Sequence, residues 1–341
     1  MRKRVLAALV VAAVVAAGCE GGGRGGRETE VGEAIGFEVF ARFKRIAHGN
    51  PIIARRPPEW AAATHAIVVG DTVHYLWGKR TADRRWLLMH STAATGDPAR
   101  VTHDARNPVL LPSSEGFDDT AVEYPFPFRS PADGRFYVYY RGKGANTPEQ
   151  TGLLVSDGDF GRWTRLRPTP VIAADTAHER HGSTHPSVAV VGETIHIIYT
   201  AKPTRSWTDG LTICHATAPV GDPAAVTKDP RNPVFRGTGQ AWDKRAVREA
   251  ELFKGPRYFH ILYGGFDGTV WRIGHVRTRD FRTFEPNPHN PVFVPSSDPD
   301  AWDADGVLTA QVVEIGDAYY MVYAGRKGKE WQTGLAKVAK P

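Results

Sequence analysis

Short alternations of apolar and polar residues, each turned back at a glycine, recur from one end of the chain to the other. Ile67 to Trp77, Ser187 to Tyr199 and Val312 to Tyr323 each hold two β-branched or aromatic runs around Gly70-Asp71, Gly192-Glu193 and Gly316-Asp317. Period-two alternation on both sides of such a dipeptide predicts a β-hairpin. Phe126 to Tyr140 and Leu252 to Tyr263 repeat the pattern around Asp133-Gly134 and Gly255-Pro256. A third strand is expected from segments such as Thr151 to Ser156 and Thr333 to Val338, and a fourth from Phe160 to Leu166 and Phe281 to Glu285. No long stretch carries a clean helical period.

The hairpins are spaced by a second signal. Asn50-Pro51-Ile52-Ile53, Asn107-Pro108-Val109-Leu110, Thr169-Pro170-Val171-Ile172, Asn232-Pro233-Val234-Phe235 and Asn290-Pro291-Val292-Phe293 place prolines 57, 62, 63 and 58 residues apart. A fixed period of that size means one supersecondary unit repeated. Four short antiparallel strands per unit, five times over, predict an all-β fold, a five-bladed β-propeller, in which radial repetition protects the strand edges. The last unit reaches Pro341 directly after its third strand, and Gly36 to Phe43 precedes the first proline motif without a blade of its own. That segment is expected to supply the missing fourth strand and latch the ring, giving one domain over 36–341.

Composition agrees with this reading and adds a leader. The 341 residues include 41% hydrophobic residues, 35 Gly and 25 Pro, which suits short strands and turns. Arg2-Lys3-Arg4 before the apolar run Val5 to Gly18 has the two regions of a secretory signal over residues 1–18. Ala16-Ala17-Gly18-Cys19 resembles the lipobox of bacterial lipoproteins, which implies a lipid on Cys19, although that family prefers Leu where Ala16 stands. Residues 19–35, rich in glycine, read as a flexible tether. Without residues 1–18 the formal charge falls from +6 to +3, since three cations and no acids are removed, and no basic stripe with interleaved aromatics points to nucleic acid. Cys214 is then left without an intramolecular partner.

Comparing the units separates two kinds of acid. Phe117-Asp118, Trp242-Asp243 and Trp302-Asp303 recur at one register after the proline motif, as turn or cap chemistry would. Other polar residues break the repeat: Asp119, Glu123, Arg248, Glu249, Glu251, Asp305, the run His178-Glu179-Arg180-His181-Gly182-Ser183-Thr184-His185, and in the first unit only His65. Different polar residues at comparable places suit an asymmetric ligand. Glu249 is expected as general acid, Asp119 as base or its modulator and Asp305 as a second carboxylate. Glu123, Arg180, His181, His185, Arg248, Glu251 and His65 are expected to bind substrate, and Trp207 and Trp331 to stack on sugar faces. The three loop histidines, 178, 181 and 185, lack helical i, i+4 or Cys-based spacing, so no metal is expected. Arg248 beside Glu249 and Glu251 reads equally as an internal ion pair.

These blade motifs, with the strands ending Tyr139-Tyr140-Arg141-Gly142 and Tyr320-Met321-Val322-Tyr323-Ala324-Gly325 and the Thr-Gly-Leu strands, resemble those of the five-bladed propeller glycosidases, including glycoside hydrolase families 32, 43, 62, 117 and 130. The resemblance spans about Phe37 to Val338. It implies cleavage of a glycosidic bond by carboxylates on different blades, an acid protonating the leaving oxygen and a base or nucleophile acting at the anomeric carbon. Their separation is about 6.5–9.5 Å in inverting enzymes and about 5–5.5 Å in retaining ones. The first blade departs from the family 43 pattern: Trp60-Ala61-Ala62-Ala63-Thr64-His65-Ala66 holds no acid. The expectation is a glycoside hydrolase acting on an oligo- or polysaccharide, without a cofactor, monomeric, exported and lipid-anchored to the bacterial cell envelope at the outer membrane or cell surface. The alternatives are a non-catalytic carbohydrate-binding lipoprotein and a phosphate-dependent phosphorylase using Arg180, His181, Arg245 and Arg248.

Overall fold

The computed structural model describes residues 35–54 and 60–341. The expected signal peptide, Cys19 and the tether up to residue 34 lie outside the described residues. A short helix, Phe37–Ala41 (α1), leads into a two-residue strand, Lys44–Arg45 (β1). The first unit follows as β2 (Trp60–Val69), β3 (Thr72–Arg80), β4 (Trp86–Ala94) and β5 (Thr102–His103). The second is β6 (Ala121–Arg129), β7 (Phe136–Lys143), β8 (Glu149–Ser156) and β9 (Thr164–Arg165), and the third β10 (Gly182–Val191), β11 (Thr194–Lys202), β12 (Thr212–Pro219) and β13 (Thr227–Lys228). The fourth is β14 (Ala246–Lys254), β15 (Phe259–Phe266), β16 (Trp271–Thr278) and β17 (Glu285–Pro286), and the fifth β18 (Gly306–Ile315), β19 (Ala318–Lys327) and β20 (Glu330–Ala339). Within each unit consecutive strands pair antiparallel, and the fourth place of the fifth unit is taken by β1, with Lys44 opposite Lys337 and Arg45 opposite Ala336. The first strands pack side by side around the ring, β2 on β6, β6 on β10, β10 on β14, β14 on β18 and β18 back on β2. The result is a closed β-propeller.

The latch falls where the sequence places it, but not on the expected residues. Phe37–Ala41 is helical, and only Lys44–Arg45 pairs with β20. Packing explains the difference. In the second and fourth units an Asp-Phe turn precedes the fourth strand, and its ring covers a histidine pair on the neighbouring unit. Phe160 stacks on His74 and His90, and Phe281 on His196 and His215. Phe40 does the same to His260 and His275, at 4.7 and 4.0 Å between centroids. Phe160-x-x-Trp163, Phe281-x-x-Phe284 and Phe40-x-x-Phe43 are thus one motif, and a turn of helix brings both rings of the N-terminal copy inward. For the same reason the expected fourth strands Phe160 to Leu166 and Phe281 to Glu285 shrink to β9 and β17.

The proline motif finishes the edge of the preceding unit. Asn107 accepts from the His90 N–H and donates to its carbonyl, both at 2.7 Å; Asn232 on His215, Asn290 on His275 and Asn50 on Leu335 repeat this. The side-chain amide thereby stands in for one more residue of the ladder, satisfying strand groups that would otherwise be unpaired. The Asn–Pro bonds at these four positions are cis. The first motif rests on β20, so residues 50–53 form a second clasp between the chain ends.

The recurring aromatic–acid pairs are structural too. Tyr140, Tyr263 and Tyr323 donate to Asp118, Asp243 and Asp303 at 2.8 to 2.9 Å, and Arg165 and Arg45 from fourth strands pair with Asp118 and Asp303. The third unit uses Glu179 instead, which accepts from Tyr199 at 2.6 Å and pairs with Lys228 of β13. In the fourth and fifth units the adjoining tryptophan lies against two glycines, Trp242 on Gly265 and Gly274 and Trp302 on Gly325 and Gly334. A Cβ on Gly274 would sit 2.2 Å from the Trp242 ring, and one on Gly334 2.5 Å from that of Trp302, which is why Gly recurs in the third strands.

Candidate active site

Each first strand carries a bulge at the same place, and each bulge holds one non-glycine residue in the left-handed region. These are Ala63, Tyr124, His185, Glu249 and Thr309, with φ of 58, 51, 52, 49 and 45°. A bulge re-aims a side chain, and non-glycine residues hold this conformation at a cost of roughly 1–3 kcal/mol each, which the surrounding sheet must supply. Five such residues on five packed strands form a ring at the axis. Counting two residues on along each strand gives a lower ring of His65, Phe126, Ser187, Glu251 and Gln311.

Ala63, Tyr124, Glu249 and Thr309 line a cavity of about 300 Å³ together with Glu123, Arg141, Arg248, Trp86, Trp207 and Trp331. Glu249 is 2% exposed. Its Oε1 accepts the Tyr124 hydroxyl at 3.2 Å and meets the Arg248 guanidinium at 3.1 Å, and its Oε2 accepts from Thr309. Burial, reinforced by the charge of Glu249, pushes the Tyr124 hydroxyl well above its usual range, so it stays a donor. Glu123, from the second unit, pairs with Arg141, which also holds Glu149 at 3.0 Å. His185 packs edge-on against Tyr124, with Nε2 3.9 Å from Glu249 Oε1, and neither ring nitrogen has a partner among the described residues. Burial and the nearby cations hold its pKa well below the usual value, so the ring is neutral. Beneath, His65 Nε2 and Glu251 Oε1 lie 2.8 Å apart, and burial raises the Glu251 carboxyl against the pull of His65.

The expected site residues therefore divide. Glu123, Arg248 and Glu249 share the cavity, with Trp207 and Trp331 on its walls. His185 packs against Tyr124 beside it, and His65 and Glu251, two residues further along their strands, do not line it. Arg180 and His181 line a neighbouring cavity. Asp119 and Asp305 do not join Glu249: their carboxylates cap loop amides, Asp119 that of Ala145 at 2.7 Å and Asp305 that of Gly328 at 2.6 Å. The physical reason is loop length. Between the proline and the central residue there are 12 (51 to 63) to 18 (291 to 309) positions, so counting from the proline slips the register. Counting back from the hairpin glycine does not: Ala63, His185 and Thr309 each stand seven residues before Gly70, Gly192 and Gly316. That signal reaches Thr309. Arg141, Glu149 and Lys202 come from other strands and carry no comparable mark.

The three loop histidines go to three different places. His178 lies near Thr176, Glu179 and Cys214, where the ligand atoms of His178, Glu179 and Cys214 are within 4.8 Å of one another, but the Glu179 oxygens already serve Tyr199 and Lys228.

No family model matches the chain, and no curated protein matches it by sequence. Solved structures do. A glycosyl hydrolase from Bacteroides ovatus superposes with a TM-score of 0.68 at 15% identity, covering 87% of this chain and 93% of that one. A structure from work on the glycoside hydrolase family 130 of mannoside phosphorylases, containing hydrolases that target β-1,2-mannosidic linkages in Candida mannan, gives 0.69 at 15% identity over 88% and 96%. A thermostable family 43 glycoside hydrolase gives 0.64 at 12% identity over 84% and 91%. The likeness runs along nearly the whole propeller and identifies the fold as that of the glycosidase propellers.

Proposed function

We propose that this chain is a glycoside hydrolase whose reaction takes place in the central cavity, with Glu249 as general acid and Glu123 as the ionised partner. The observation that carries the reading is the convergence of two carboxylates, from the fourth and second units, on one cavity walled by three tryptophans. A cavity that only bound sugar would have no need to bury Glu249 at a bulge with donors on both oxygens. The roles follow from the partners. Hydroxyls can donate to a carboxylate and accept from a carboxylic acid, so Thr309 on Oε2 serves Glu249 in both protonation states. Both carboxylates face a guanidinium, Arg248 beside Glu249 and Arg141 beside Glu123, but only Glu249 also has a hydroxyl on each oxygen, so it takes the acid's role and Glu123 that of the base or nucleophile. Glu123 takes the role expected of Asp119. Trp86 and Trp331 supply apolar ring surface in the cavity wall against which a sugar ring can pack.

The test is turnover on a panel of aryl glycosides and polysaccharides, with and without inorganic phosphate. Glu249→Gln and Glu123→Gln should each lower it by roughly a hundred- to ten-thousand-fold, the usual contribution of general acid–base catalysis. Full turnover in both variants would refute the assignment, and strict dependence on phosphate would make the enzyme a phosphorylase. Export and lipidation at Cys19, which rest on residues 1–19 alone, are checked by the mass of the mature chain.

A further inference from the structure

A second cavity, of about 550 Å³, adjoins the first and shares its Trp207 wall. Its character is different. Lys143, Arg180, His181, Lys202 and Arg205 line it, against a single acid, Glu149. These basic residues arrive from three separate stretches of chain: the end of β7, the residues just before β10, and the end of β11 with the loop after it. Glu149 pairs with only one of them, Lys202 at 3.1 Å, and is shared with Arg141 at 3.0 Å, so the rest are left without it. The side chains of Lys143, Arg180, His181 and Arg205 have no hydrogen-bonded or ion-paired acceptor among the described residues. Lys202 is itself only 4% exposed, with its ammonium 3.6 Å from the centre of the Trp207 ring. A buried ammonium is costly to hold beside other cations, and an arriving anion relieves that cost.

We propose that this cavity is a subsite for a sugar residue carrying a carboxylate, a uronic acid of the glycan, next to the residue cleaved in the central cavity. The inference rests on the glycosidase reading and names the class of glycan it acts on. Free phosphate shares the oxyanion chemistry, but as an attacking nucleophile it would have to reach the anomeric carbon inside the central cavity, on the face opposite the oxygen that Glu249 protonates, where Glu123 stands. Of the residues lining the basic cavity only Trp207 also lines the central one, so an anion held here is displaced from the reacting carbon. Arg180 and Arg205 offer forked donors to a carboxylate, while Trp207, whose ring holds the Lys202 ammonium, forms the wall shared with the central cavity.

The experiment is a calorimetric titration of the folded protein with trisaccharides of glucuronate, galacturonate or mannuronate, with their methyl esters, and with inorganic phosphate alone, at low and high salt. At least one acid should bind about tenfold or more tighter than its ester, with the preference falling at high salt. Arg180 and Arg205 are exposed. The double variant Arg180→Ala/Arg205→Ala should therefore melt like the wild type and lose the preference. Esters binding as well as acids, no acid binding at all, or a preference that survives the double variant would overturn the proposal. So would phosphate binding that the double variant abolishes with no acid preference in the wild type, which would give the cavity to free phosphate. Glu249→Gln separates the two readings: if it keeps turnover while the acid preference holds, the catalytic assignment fails and the subsite stands.

Discussion

Removing the Phe40 ring tests whether the N-terminal segment is a true part of the last unit. Phe40 is 1% exposed and stacks on His275 at 4.0 Å and His260 at 4.7 Å. Truncating a fully buried Phe to Ala costs about 3–5 kcal/mol through lost transfer energy and the cavity left behind, of which about 0.5–1.5 is specific to ring pairing. A domain of this size loses about 2–4 °C of melting temperature per kcal/mol, so Phe40→Ala should lower Tm by roughly 6–20 °C. Phe281→Ala is the internal standard, because Phe281 makes the same stack on His196 and His215 from the middle of the chain. Differential scanning calorimetry of both variants beside the wild type gives the comparison. Equal losses mean that the ring is closed by a segment as strongly docked as any blade. A shift below about 2 °C for Phe40→Ala, with the full loss for Phe281→Ala, would refute the reasoning and reduce α1 to a loosely attached cap.

Three further outcomes follow from the geometry. Thr309→Val keeps the shape but removes the donor on Glu249 Oε2, and should lower kcat/KM by about ten- to a hundredfold, a hydrogen bond to a charged group being worth about 1.5–3 kcal/mol; unchanged kinetics would detach Thr309 from the site. Asp119→Asn and Asp305→Asn should keep turnover within about twofold and change only the proteolytic sensitivity of the loops at 145 and 328; a loss as large as that of Glu249→Gln would restore them to the chemistry. Acid should destabilise the propeller early. Burial lowers His260 from 6.5 to about 3 and His74 and His196 to about 4, so between these values and pH 6.5 the unfolded chain binds protons that the folded one does not, and stability falls as pH falls through that window. For the fully buried His260 the loss is on the order of 5 kcal/mol at most. A melting temperature constant from pH 7 to pH 4.5 would contradict the buried, neutral pairs.

The repeat was legible because its signals are local. Turn dipeptides, period-two alternation and the Asn-Pro motif each act within a few residues, and five copies average out accidental patterns. Closure was legible for the same reason, since a unit lacking its fourth strand and a segment lacking a unit are both visible in one dimension. The helix in place of a latch strand was less so: Phe40 shares its x-x-aromatic spacing with Phe160 and Phe281, but only the stacked histidines of the neighbouring unit say why that ring must turn inward.

For the site, comparing units singled out Glu249, Glu123 and Arg248, which line the central cavity, together with Asp119 and Asp305, which cap loop amides instead. Sequence alone determined that five similar units surround an axis and that the polar residues near it differ. The tertiary structure decided which of those residues meet, because the side chains at the axis come from strands about 60 residues apart and are aimed by bulges whose position follows the hairpin rather than the proline. It also brought Lys143, Arg180, Lys202 and Arg205 together around Trp207, a concentration of charge that no single stretch of the chain displays.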